Sequence, residues 1–367
     1  MYIYFLTFIV IIFLAIIIQK LMVKHKKTAI LLCLLSIFIL SLLAGLRSLD
    51  VGRDLRVYVI SSFNNSRNFS SIISYLKYYY FKEPLYYALN YLVYKYSGNI
   101  NVLLFAIQLI ITSIIYYIAY KESENNKGTF SVYIFSYIII WYNTSFNIVR
   151  QSLAIAIMLL GFKSLIENKN KKFVLLIFLA FLFHSSAIFC LLFPLIKKVS
   201  KLKNRKLYLV LLPIIFILIF TFLKPIMSTM SVIPFFEKYY NYLEIDTTNL
   251  LPKFAILKLI FLIFFLFFST GETFRKAEEN KIFSFMAITD FMLYLSSGFI
   301  MFGYRMSYLF LPIYIYMIPR IDKSYDNKPT QKVFRIAMII ILCTYWYYRY
   351  VSIGYDGTIP YSFFWKN

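Results

Sequence analysis

Four arginines are the residues of this chain best placed to do chemistry, because each stands beside an apolar run too long for an ordinary core helix. Arg47 and Arg53 fall, with a fifth arginine, Arg56, in the string G-L-R-S-L-D-V-G-R-D-L-R-V-Y, from Gly45 to Tyr58, interleaved with Asp50 and Asp54. Arg150 lies in W-Y-N-T-S-F-N-I-V-R-Q-S-L-A, and Arg305 in F-G-Y-R-M-S-Y. A guanidinium offers a planar fork of donors that fits phosphate oxygens in pairs. An arginine close to hydrocarbon is costly unless it faces a polar cavity or a partner. The expected chemistry is therefore recognition of an anion at a membrane boundary, with Arg47, Arg53, Arg150 and Arg305 as its ligands. The plain alternative is that Arg47 snorkels to lipid headgroups above a solvated turn at Gly52, and that Arg150 does the same at a helix end.

Other residues could serve a reaction there. Asn147, Arg150 and Gln151 stand at i, i+3 and i+4, which places them on one helical face. Thr144 or Ser145 is expected to cap that helix, so that its positive end points where Arg150 points. His184, in L-F-H-S-S-A, is either a satisfied structural residue or a group that moves protons near neutrality. Glu83, beside Pro84, is an equally good candidate base, and Asp54 reads as the acid that orients an arginine. Tyr58 completes the polar set. Glu237, Glu244 and Asp246 read as solvated loop residues. Cys33, Cys190 and Cys343 all lie in apolar runs, with neither a disulfide framework nor metal-ligand spacing. No metal is expected. No GxxxxGK[ST] or GxGxxG occurs, so nucleotide binding has no support.

The elements that must position these residues are membrane helices. The chain has 367 residues, 61% hydrophobic and 15% charged, with a mean hydropathy of +0.71, against roughly half apolar and a quarter charged in a soluble domain. The excess of 39 Lys+Arg over 16 Asp+Glu gives +23. It sits mostly in short clusters between apolar runs, as the positive-inside bias requires, and it does not point to nucleic acid. A span needs about 20 apolar residues. Ten are read, at roughly 2–19, 28–46, 99–119, 129–142, 148–166, 207–223, 253–270, 281–302, 305–319 and 332–349. The first lacks a preceding basic segment and a cleavage site, so it reads as an anchor.

Lys24, Lys26 and Lys27 place the first loop in the cytoplasm. Alternation then puts Lys169, Lys171 and Lys172 inside as well. The six cations from Lys197 to Lys206 should also be inside, yet only the apolar stretch 173–196 separates the two clusters. Either that stretch is a single span with one cluster stranded outside, or it is a re-entrant hairpin that turns at His184-Ser185-Ser186. The hairpin is favoured, because it also leaves the basic segment 320–335 in the cytoplasm. The fold expected is all-α, a single polytopic domain over 1–367 with outer loops at 47–98 and 224–252. Tyr75 to Tyr96 is expected to form an amphipathic helix in the interface.

The order of these strings resembles the EpsG/Wzy-type family of polysaccharide polymerases. The matching pieces are R-x5-G-R-D-x3-Y (Arg47, Gly52, Arg53, Asp54, Tyr58), E-P-L-Y at Glu83, N-x2-R-Q-x-L-A from Asn147 and L-F-H-S-S-A around His184. Arg305 before an apolar helix and the tail I-P-Y-S-F-F-W complete the set. The 224–252 loop carries no matching motif.

The resemblance implies a GT-C-like glycosyltransferase of the cytoplasmic membrane. It would join oligosaccharide repeat units carried on undecaprenyl pyrophosphate at the extracytoplasmic face, producing O-antigen or capsular polysaccharide. No nucleotide sugar or other cofactor is expected. Its partners would be the lipid-linked oligosaccharide, the membrane lipids and a chain-length regulator. Two further readings stay open. A ligase or acyltransferase acting on lipid-linked glycan usually shows a larger outer loop domain, and the outer loops here are modest. A transporter for the same substrates would show internal repeats and ionisable groups at mid-membrane. Apart from His184 and Lys258, the spans are nearly free of such groups.

Overall fold

The computed structural model describes residues 1–125, 128–230, 254–269, 280–298, 303–325 and 327–366, with Phe274 and Ala277. The described chain is helical, apart from one isolated bridge between Arg47 and Phe363. It forms two compact units, one of residues 1–191 with 331–367 and one of residues 192–330.

In the first unit the helices are α1 (Tyr2–Leu21), α2 (Lys26–Gly45), α3 (Ile60–Asn65), α4 (Ile72–Tyr78), α5 (Pro84–Ser97) and α6 (Ile100–Asn125). They are followed by α7 (Phe130–Tyr137), α8 (Asn143–Asn147), α9 (Val149–Ile166) and α10 (Asn170–Phe183), with the helix Lys328–Trp346 returning from further along the chain. Four of them, α1, α2, α6 and α9, are long and apolar enough to cross a membrane. This is a membrane protein.

Lipid tails are as apolar as leucine, so small residues and close packing hold such helices together. Gly45 shows the consequence. A Cβ there would lie 2.8 Å from the Phe105 Cβ, so α2 and α6 approach more closely than any side chain would permit. α9 is the inner helix, with 83% of its apolar window buried against 28% for α1. Ala154 and Ile157 of α9 pack with Ala180 and Ala187.

Cross-links assign helix ends to two levels. At one level Tyr4 donates to the Thr358 carbonyl (2.9 Å), Asn101 to the carbonyls of Gly45 (2.6 Å) and Arg47 (2.9 Å), and Tyr361 to that of Leu43 (2.7 Å). At the other, Ser131 bonds Gln19 (2.9 Å) and Lys163 pairs with Glu122. Successive long helices therefore run in alternate directions, as the basic clusters imply.

Local geometry departs from the sequence reading in three places. The stretch 129–142 is not one straight α-helix, because α7 passes into a π-helical turn at Ile138–Tyr142 before α8. Tyr75–Tyr96 is two helices, α4 and α5, separated by a turn in which Tyr80, Phe81 and Glu83 all have positive φ. The loop 47–98 is itself largely helical, with a π-helical turn at Leu55–Val59 ahead of α3. In α5 Tyr86, Tyr87, Asn90 and Tyr91 face inward.

The second unit contains helices Phe193–Ser200, Arg205–Met230, Ala255–Phe268, Lys281–Leu295, Gly303–Ser307 and Ile313–Lys323. The span read at 305–319 is divided between the last two. Lys258 is buried against Asp290 (2.6 Å), with Ser307 donating to the same carboxylate (2.6 Å). Most of the loop 224–252, including Glu237, Glu244 and Asp246, lies outside the described residues.

Candidate active site

Glu83 is placed by the backbone. Ser71 caps α4 by accepting from the Ser74 amide (3.2 Å). After α4 the chain reaches Glu83 at φ 50°, ψ 52°, immediately before Pro84 in the first turn of α5. Proline disfavours helical backbone in the residue before it, and left-handed backbone costs a non-glycine residue on the order of 1–2 kcal/mol. Such strain persists only where the surroundings over-determine it.

The carboxylate supplies that constraint. Its Oε2 takes Arg150 Nη1 at 2.7 Å, its Oε1 stands 2.6 Å from His184 Nδ1, and the Ser185 amide donates to Oε1 at 3.3 Å. Burial works to raise the Glu83 pKa. Its close contact with His184, then Arg150 and the Ser185 amide, overcome it and bring the value down to about 2. The Glu83 side chain is 2% exposed, whereas those of Arg150 and His184 are 21% and 22% exposed. The acid lies at the bottom of the cluster and its two partners reach its mouth.

His184 ends α10 in an extended conformation, at φ −157° and ψ 127°, and an eight-residue 3₁₀ stretch, Ser185–Leu192, follows. The backbone thus breaks at His184-Ser185-Ser186, the place where the hairpin reading of 173–196 puts its turn. Gln151, one residue beyond Arg150, donates to Ser186 Oγ (3.4 Å). With Nδ1 turned to Glu83, the other ring nitrogen, Nε2, is the atom of His184 left to meet a substrate.

Arg150 is the second residue of α9. Its guanidinium lies 5.1 Å from the Tyr58 ring centroid and 5.6 Å from that of Tyr86, which fixes its plane. Neither Thr144 nor Ser145 caps α9, because Ile148 (φ −85°, ψ 56°) interrupts the helix and stands at the cap position. Thr144 instead donates to Asp356 Oδ2 (3.1 Å), and Ser145 to Gln108 Oε1 (3.0 Å). The same break takes Asn147 off the face of Arg150 and Gln151. Asn147 accepts from the Asp54 amide (2.9 Å) and donates to Asp356 Oδ1 (3.1 Å).

Asp356 is the residue that sequence reasoning missed. Its carboxylate is 1% exposed and also accepts from Arg349 Nη2 (3.2 Å). Around it the C-terminal tail closes on the G-R-D loop. Gly52 donates to the Gly357 carbonyl (2.9 Å), and Arg53 Nη2 to that of Gly354 (3.0 Å). Gly52 has φ +107°, and a Cβ there would lie 2.5 Å from the Phe146 carbonyl oxygen, so only glycine fits. The signal was present in the string G-Y-D-G-T and in Arg349 at the end of the last span, but neither matched a motif.

The arginines therefore have separate partners. Arg47 is 2% exposed, with its guanidinium 4.2 Å from the Phe146 ring centroid. Burial brings its pKa down to about 10, against the opposing pull of Tyr4, Tyr142 and Tyr361, so it remains a cation at neutral pH. Arg53 is exposed and held by the tail. Arg56 pairs with Asp50 at the surface. Arg305 lies in Gly303–Ser307 of the other unit. Within the first unit, the structure brings Glu83, Arg150, Gln151, His184 and Tyr58 together, and it ties Asp54 to Asn147.

Comparison with known proteins adds one finding. The model of the EpsG family matches residues 30–363, a stretch that includes every candidate residue named here. No curated protein and no solved structure gives a significant match.

Proposed function

The chain belongs to the EpsG family, and from that premise we propose that it is a membrane glycosyltransferase that polymerises lipid-linked oligosaccharide repeat units. The observation that carries the reading is the Glu83 carboxylate held between Arg150 and His184, with the basic partners at the mouth of the cluster. The donor is a glycan on undecaprenyl pyrophosphate, and the acceptor is a hydroxyl at the non-reducing end of a second lipid-linked unit. His184 Nε2 takes the hydroxyl proton as the acceptor oxygen bonds to the donor's anomeric carbon. The bond from that carbon to the phosphate oxygen breaks, and its electron pair leaves with the lipid pyrophosphate. Arg150, with donors beyond the one given to Glu83, meets the charge that develops.

Glu83 is the weaker choice as base. A carboxylate with a pKa near 2 has little affinity for a proton at neutral pH. Its part is to hold Nδ1 of His184 and one edge of Arg150, which leaves Nε2 as the acceptor atom. Arg47, sealed against Phe146, contributes a fixed positive charge and no direct contact.

The reading places this site on the extracytoplasmic side. The Lys24–Lys27 cluster marks the opposite level of the first unit as cytoplasmic. At 14 residues, α10 is about 21 Å long, short of the roughly 30 Å of hydrocarbon. Ala187 packs with Ala180, Ala154 and Ile157, one turn back from the tip. Both facts support a hairpin with His184 at its apex, and an Asn204→Cys variant should then be shielded from an impermeant external thiol reagent. Labelling of that cysteine from outside would overturn the hairpin.

The function itself is tested by Arg150→Ala and His184→Ala. Each is expected to reduce the cell's glycan ladder to single repeat units, read per amount of protein present in the membrane. Arg150→Lys should also fail, because an ammonium cannot make paired contacts to phosphate. Normal ladders in both alanine variants would remove this site from the mechanism.

A further inference from the structure

A second feature of the first unit lies outside the Glu83 cluster. Ser61, Asn64, Asn65 and Asn68 fall at i, i+3, i+4 and i+7 along α3 and the turn that follows, so they form one polar stripe. They line a cleft of about 460 Å³ whose other wall is Tyr78 and Tyr79. That volume is in the range of small-ligand sites. A second cleft, of about 560 Å³, lies against the same two rings and adds Lys77, Lys82 and Tyr87.

The stripe is organised in advance of any ligand. Asn68 Nδ2 donates to Asn65 Oδ1 (2.9 Å), and Asn65 Nδ2 donates to the Tyr79 hydroxyl (3.2 Å). Tyr79 is fixed by stacking on Tyr87, with centroids 3.9 Å apart and planes 12° apart. Tyr78 packs edge-on to it and keeps 58% of its surface exposed. These bonds leave the Asn68 carbonyl, the Tyr79 O–H and the amide of exposed Asn64 for a ligand.

We infer that this cleft is a glycan-binding subsite that holds a sugar of the repeat unit away from the reacting bond. The inference rests on the polymerase reading and names where the saccharide is read. Each amide pairs a donor with an acceptor, which matches hydroxyl groups that both donate and accept. An aromatic ring with one wet face suits the apolar C–H face of a pyranose. Among the described residues, Arg67 is the only charged one lining this cleft, so the ligand expected is an uncharged or weakly acidic saccharide and not a diphosphate. Lys82 borders the second cleft and precedes Glu83 in the chain, so a glycan lying over Tyr78 and Tyr79 would continue toward the Glu83 cluster.

The test uses the full chain in detergent and, as probe, the reducing oligosaccharide released by mild acid from the cell's own lipid-linked pool. Saturation-transfer NMR should show binding to the wild type and equally to His184→Ala, since this contact does not depend on the reacting groups. Asn64→Ala/Asn68→Ala, both exposed positions, should weaken binding at least tenfold and shorten the ladder in cells. No binding by the wild type, or equal binding by the double variant, would overturn the subsite. An equal signal from glycerophosphoglycerol would assign the cleft to lipid headgroups and overturn it as well. Loss of the polymerase reading would appear elsewhere, as normal ladders in His184→Ala and Arg150→Ala.

Discussion

Glu83 and Asp356, two of the buried carboxylates of the first unit, differ in what they leave unused. Asp356 is sealed. Its oxygens accept from Thr144, Asn147 and Arg349, all of them buried. Glu83 is just as buried, but its partners Arg150 and His184 are each about one-fifth exposed and keep polar atoms beyond those it engages. A carboxylate whose partners are all internal can only hold structure together. One that pins the inner edges of a guanidinium and an imidazole presents their outer edges in fixed geometry, which is what preorganised catalysis requires. The Lys258–Asp290 pair of the second unit is of the sealed type, at 4% and 0% exposed.

The comparison can be broken by substitution. Asp356→Ala should have the largest effect on stability. Removing one partner of a buried ion pair costs about 3–5 kcal/mol, so the protein should be scarce in membranes and its melting temperature low. Normal abundance would mean that the tail does not clasp the G-R-D loop.

Glu83→Gln sharpens the contrast. The amide oxygen still accepts from Nδ1 but without charge assistance. The difference between charged and neutral hydrogen bonds is about 1.4 kcal/mol, or roughly tenfold in turnover. This loss should be smaller than that of His184→Ala, at about 10²–10⁴-fold. An equal loss in the two variants would make Glu83 the base.

The same variant tests the pKa. Because the folded value is depressed, Glu83 stabilises the fold fully above its unfolded value near 4.3, and that contribution disappears as pH falls through about 2. The melting-temperature deficit of Glu83→Gln should therefore shrink across that window. The smallest effect belongs to Arg56→Ala. Its pair with Asp50 is half to two-thirds exposed, worth under about 1 kcal/mol, and glycan ladders should be unchanged.

Four of the apolar spans, the alternation of the first unit and the break at His184 were legible in the sequence. So were the residue types of the site, including Glu83, Arg150 and His184. Helix length and burial follow from local composition, because a run of about 20 apolar residues has few ways to satisfy its backbone in lipid. The pairing among the charged residues was not legible. Expecting the arginines to share one pocket assigned them a common ligand, whereas Arg47 went to Phe146, Arg53 to the tail and Arg150 to Glu83. Likewise the i, i+3, i+4 rule placed Asn147 beside Arg150, and one non-helical residue, Ile148, separated them.

What the sequence determined is the membrane fold's helical content and the inventory of groups able to handle an anion and a proton. What only the tertiary structure decided is which acid holds which base. Glu83 and Arg150 are 67 residues apart and Glu83 and Ser185 are 102 apart. No local rule relates positions so distant. They meet because α5, α9 and the tip of α10 pack at one level of the unit, and an ion pair a few ångströms long depends on that packing more steeply than on anything in the neighbouring sequence.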